Sequence, residues 1–381
     1  MKGSNSKKGS SQTEMFAPKR NSNPNAESIP FLFPFSFSIS GGSQDRLADR
    51  ILHFLQISAS LRKRQKAMNA LLYLADKFPD SDTVCRNCAK ALFTQMKLET
   101  DPETRTEFLA KLETLCQEKP DDQEIACTYA MAAVHVLEVC RTQREAHAQL
   151  DVLRRLHASA IKCGFRAEKL CRLLAHGISQ FLQRQKFSEK GETLLLELKH
   201  LSDASSGDLK ISEEYIRGVA AVMRNVHEPE ERNAWFEALE KFTERETLTA
   251  EMRAGILEGG TYWLLARLSG NERTSENILK KNSDREKQKI ADCMRIQSLW
   301  RRLWCEDAQN AESRYFFACA ILASMRGEPS AEKRKDLASL LAKCRSVRLT
   351  ELDGLYRTSR NEFLANEWNE EVRNAILSAL R

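Results

Sequence analysis

The Pro-Asp break in DKFPDSDTVCRNCAKALF at 76–93 is written again in EKPDDQEIACTYAMAAV at 118–134, and the same apolar spacing follows it. Pro79 and Pro120 lie 41 residues apart (120 − 79 = 41). Self-similarity at roughly 20 to 50 residues marks a repeat architecture, because one unit of that size cannot bury its own apolar face and must stack on the next. The echo therefore points to an array of small units, and a chain of 381 residues is long enough to hold several.

The segment after each break carries apolar residues at p, p+3, p+4 and p+7, one face of an α-helix. Seven segments fit, and their p+4 position reads Ala48, Ala89, Ala130, Ala175, Ala220, Gly260 and Ala318. So small a residue, kept on an otherwise apolar stripe, lets a second helix approach closely. A second helix per unit follows a leucine rhythm at i, i+3 and i+6: Met68, Leu71, Leu74; Leu109, Leu112, Leu115; Leu150, Leu153, Leu156; and Leu195, Leu198, Leu201. Later units drift, keeping Leu239 and Phe242, then Leu337 and Leu340. With only 15 Gly and 9 Pro, and no sustained alternation of β-branched residues, the sequence predicts an all-α fold.

The large, large, small, large order at p, p+3, p+4 and p+7 resembles the first helix of tetratricopeptide repeats. The resemblance covers residues 44–344, with units of about 41 to 45 residues that exceed the family's period. The family's aromatic first column is missing, and its Pro is kept only at Pro79 and Pro120, which leaves a HEAT-like or other α-solenoid open. The resemblance implies a right-handed superhelical array of antiparallel helix pairs. Domain expectations follow: a disordered basic leader at 1–42, the array at 43–349 with a polar insertion at 269–289, and capping helices at 350–381.

Charge and cysteines narrow the partner. Of the net +6, half sits in residues 1–42, where five cations face Glu14 and Glu27, so the body is nearly balanced and nucleic-acid binding is disfavoured. Eleven scattered cysteines suit a reducing, cytoplasmic compartment. No run of about 18 apolar residues is present, so no membrane span is expected. The stretch IPFLFPFSFSIS at 29–40 imitates an export signal, but two prolines break it and 28 residues precede it, which favours a leader.

Catalytic patterns are missing: there is no phosphate-cradling glycine loop, no Gly-x-Ser-x-Gly and no His-Glu-x-x-His. Cys85-x-x-Cys88 lacks the second ligand pair zinc needs, and its columns exchange Cys for Ala, Leu and Ile, so both read as core residues. The expectation is a protein with no enzyme activity, metal or cofactor, serving as an interaction scaffold. In the family, the concave groove is lined by first-helix residues beside the core stripe. The resemblance carries that role to positions p+1 and p+5, joined by p+8. Here p+1 gives Arg86, Arg172 and Arg217 among Asp45, Cys127, Leu257 and Tyr315. Position p+5 gives Lys90 and His176 among Asp49, Met131, Ala221 and Thr261, and p+8 adds Arg224.

Arg172, His176, Arg217 and Arg224 are expected to converge on one patch suited to an acidic or extended segment of another protein, since guanidinium groups fork onto carboxylates. The alternatives are a nucleic-acid-binding solenoid, a regulatory array serving a separate enzyme, or arginines consumed by neighbours such as Glu168, Glu213 and Glu214.

Overall fold

The computed structural model describes residues 43–164, 167–184, 189–205, 207–225, 229–244 and 247–269, scattered positions between 288 and 330, residues 331–344, positions 361 and 365, and residues 367–380. The leader at 1–42 and nearly all of the polar insertion at 269–289 lie outside the described residues. Among the described residues every regular element is an α-helix. The chain divides into two compact units, Met1–Ala91 and Leu92–Arg381.

The first unit contains α1 (Ser43–Ile57), α2 (Leu61–Lys77) and the start of α3 (Asp82–Leu98), within which the division falls. Helix α1 packs on α2 through Ala48, Ile51 and Leu55 against Met68, Leu71 and Leu74, all at or near full burial. Asp45 accepts a hydrogen bond from Ser81 Oγ at 2.5 Å, and Asp49 accepts one from Asn87 Nδ2 at 2.7 Å, so two acids of the expected groove columns tie α1 to α3 instead.

The second unit continues with α4 (Pro102–Glu118), α5 (Gln123–Val139), α6 (Gln143–Lys162), α7 (Glu168–Arg184), α8 (Glu189–Ala204), α9 (Leu209–Asn225), α10 (Pro229–Phe242) and α11 (Ala250–Ser269). Near its end, α12 (Ala331–Cys344) packs on α13 (Glu370–Leu380), and Arg334 holds the Glu367 carboxylate by two bonds of 2.8 and 2.9 Å. Helices α5, α7, α9 and α11 pack in succession. Each second helix fits between two of them: α6 touches α5 and α7, α8 touches α7 and α9, and α10 touches α9 and α11. That is a repeat-like, two-layered succession of helix pairs.

Capping residues set where each helix starts, by giving a side-chain oxygen to amides left without an intrahelical acceptor. Ser60, Asp101 and Thr142 cap α2, α4 and α6, each 41 residues after the one before (101 − 60 = 41; 142 − 101 = 41). On the first helices, Ser81, Asp122, Asp208 and Thr249 do the same for α3, α5, α9 and α11. Asp122 is nearly buried and accepts from both Glu124 and Ile125 amides. Asp122→Ala is expected to cost about 1 to 2 kcal/mol, read as a lower midpoint in chemical denaturation with an unchanged slope.

These starts correct the repeat register. Helices α7 and α9 begin 41 residues apart (209 − 168 = 41), whereas the Ala175 to Ala220 step is 45, so the expected column slides one turn along α9. Four residues nearly complete a turn and leave the buried face unchanged, which is why face periodicity missed it. In the helix-start register the tenth residue of α3, α5, α7, α9 and α11 is Ala91, Ala132, Gly177, Gly218 and Gly259, and all five are buried. A Cβ on Gly177 would stand 2.5 Å from Leu153 Cδ1, and one on Gly218 2.9 Å from Leu198 Cδ2; on Gly259 it would overlap Leu239 Cδ1. The leucines of the second-helix rhythm thus press on the glycines of the next first helix.

Candidate functional site

On the first helices of the second unit a cleft of about 310 Å³ opens between α7, α9 and α11. Helix α7 lines it with Gln180, Gln183 and Arg184, and α9 with Arg217, Ala221 and Arg224. Helix α11 adds Glu251, Gly255 and Glu258. The register explains the gathering: Met131, His176, Arg217 and Glu258 occupy the same position on α5, α7, α9 and α11, and all four are half-buried.

The expected binding residues divide. Arg217 and Arg224 line the cleft. His176 joins Arg217 by sharing an acid: Glu214 Oε1 lies 2.9 Å from His176 Nδ1 and accepts from Arg217 Nη1 at 3.2 Å. Arg172 is not a lining residue. It donates to Asp208 Oδ2 at 2.6 Å, next to the start of α9. Arg86 and Lys90 are half-buried on the part of α3 that belongs to the first unit. The columns themselves need correction, because Cys127, Leu257, Ala221 and Thr261 are between 2% and 4% exposed and belong to the core. Cys85 and Cys88 are likewise buried.

Two arginines also hold the helices together. Arg184 donates to the carbonyls of Leu137, at 2.6 Å, and Glu138 at the end of α5. Arg224 Nη2 donates to the Gln183 carbonyl at the end of α7, at 2.7 Å. A cation on the last carbonyls of a helix also meets the negative end of its dipole. Gln180, Gln183 and Glu258 share helix positions with Ala221, Arg224 and Arg217 and were missed because the columns were counted from a slipped register, which the caps at Asp208 and Thr249 fix; Arg184 and Glu251 lie outside those columns in either register.

The electrostatics centre on Glu214. Burial opposes its ionisation, but the hydrogen bond and charge of His176, with the charge of Arg217, outweigh this and hold its carboxyl below the usual value. The Glu214 bond in turn raises His176 above its ordinary 6.5 against the opposing effect of burial, and Glu138, with an oxygen 3.8 Å from Nε2, adds to the rise while Arg217 reduces it. A raised histidine stabilises the fold fully below the unfolded value and loses that contribution as pH climbs through the folded value. A lowered carboxylate stabilises above its unfolded value and loses that as pH falls through the folded one. The pair therefore stabilises most between the ordinary carboxylate value of 4.5 and the ordinary histidine value of 6.5. Denaturation midpoints from pH 5 to 9 should decline through the raised His176 value, and His176→Gln should remove that decline.

No helix among the described residues is long and apolar enough to cross a membrane. No family model matches the chain, and a comparison with curated proteins finds no relative.

Proposed function

We propose that the chain is a tetratricopeptide-like repeat protein acting as a non-catalytic interaction module, which grips a segment of a partner protein in the cleft between α7, α9 and α11. The observation that carries this reading is the gathering of three guanidinium groups, Arg184, Arg217 and Arg224, from two successive first helices around one cleft. A guanidinium has five N–H donors in a planar fork, so the bonds these arginines make inside the protein leave donors for a partner carboxylate. The free cysteines, buried at Cys127 and Cys171, fit work in the reducing cytoplasm.

A nucleic-acid role is disfavoured by Glu251 and Glu258, which line the same cleft and would face a phosphate backbone with like charge. Affinity capture from the native source, with and without nuclease, tests the proposal. A protein recovered by the wild type after nuclease treatment, and lost with Arg224→Glu, supports it. Recovery that depends on nucleic acid, or is indifferent to Arg224→Glu, contradicts it.

A further inference from the structure

Charge in the cleft is segregated by helix. Helices α7 and α9 contribute only cations and neutral groups, Arg184, Arg217 and Arg224 among them, while α11 contributes Glu251 and Glu258. Arg217 is paired with Glu214, but the other two guanidinium groups have no carboxylate partner among the described residues. Arg184 and Arg224 spend hydrogen bonds on main-chain carbonyls instead. Across from them Glu251 stands in the first turn of α11; Lys210 on α9 lies within its electrostatic reach, but that ammonium is bonded to Glu213 at 2.8 Å. A purely acidic segment would satisfy the guanidinium side and be repelled by the α11 side. A purely basic one would meet the reverse.

Resting on the interaction reading above, we infer that the cleft selects a dipolar partner segment, one that sets acidic side chains against Arg184 and Arg224 and a lysine or arginine against Glu251. Complementarity of this kind gives specificity and orientation: the segment can enter in one direction only, because reversal places like charges together on both sides. The direction of the bound chain is thus written in the order of helices, with the partner's acidic end over α7 and α9 and its basic end over α11.

A displayed library of random 12-residue peptides, selected on the full chain, tests this. Enriched peptides are expected to combine acidic residues with a basic residue at a fixed spacing from them. For a selected peptide, Glu251→Lys in the protein should weaken binding at least tenfold, and exchanging the peptide's basic residue for Glu should restore it, a pairwise coupling that a general loss of fold would not give. Glu251→Gln, with melting compared to wild type, separates charge from folding. Enrichment of acidic residues alone, or a Glu251→Lys loss that the peptide exchange does not rescue, overturns the dipolar inference while leaving the cleft as an acidic-peptide site. Failure to enrich any charge pattern overturns the inference and the interaction reading together.

Discussion

Gly218→Leu is expected to lower the melting temperature of the second unit by more than a substitution at an exposed position would. The glycine sits on α9 where Leu198 of α8 presses in, and even a Cβ would stand 2.9 Å from Leu198 Cδ2 and 3.2 Å from Leu182 Cδ1. Accommodating a whole leucine requires the first and second layers to part, with a cost of about 3 kcal/mol or more. The same reasoning applies to Gly177 and Gly259, each met by a leucine of the preceding second helix. Ala175→Leu, at a fully buried position on α7, should behave alike. Thermal melts followed by circular dichroism check this: wild-type melting for both Gly218→Leu and Ala175→Leu would mean that the small residues do not mark close contacts.

The second large effect is on partner binding. Arg217→Ala combined with Arg224→Glu should lower affinity for a captured partner by at least about a hundredfold, since each charge-assisted bond is worth about 1.5 to 3 kcal/mol and about 1.4 kcal/mol is tenfold. Alanine is chosen at 217 because a carboxylate there would face Glu214, whose oxygen accepts from Arg217 at 3.2 Å. Arg224→Ala serves as the control, as it loses the bond to the Gln183 carbonyl without reversing the charge. Titration calorimetry reads the affinities: Arg224→Ala loses a ligand donor along with the Gln183 bond, so Arg224→Glu should bind more weakly still, and wild-type affinity in the Arg217→Ala, Arg224→Glu variant would contradict the cleft assignment.

The helical succession was legible in the sequence because burial repeats on a face, and Ala48, Ala89, Ala130, Ala175 and Ala220 are indeed fully buried. The site was only half legible. A face is unchanged by a slide of one turn, so the p+4 column ran smoothly through α9 while pairing Arg217 with Arg172, although Arg217 matches His176. Arg172 falls in an expected groove column, and no pattern in one sequence distinguishes a guanidinium turned to a ligand from one bonded to Asp208 at 2.6 Å. Glu214, one of the acids that the sequence sets near these arginines, holds both His176 and Arg217. Residues with an absolute position along the helix carried the missing information: the capping side chains of Asp208 and Thr249 recur 41 residues apart (249 − 208 = 41), as do Gly218 and Gly259 (259 − 218 = 41).

The central claim is that partners dock on the first helices, at the cleft of α7, α9 and α11. A photo-crosslinking amino acid placed at Gln180, which lines that cleft, and at Lys199, exposed on the second helix α8, tests it most directly. Irradiated in lysate of the native source after nuclease treatment, the Gln180 variant should yield a discrete protein adduct that Arg224→Glu abolishes, and the Lys199 variant should yield none. An adduct at Lys199 with none at Gln180 would place docking on the second-helix layer and contradict the account.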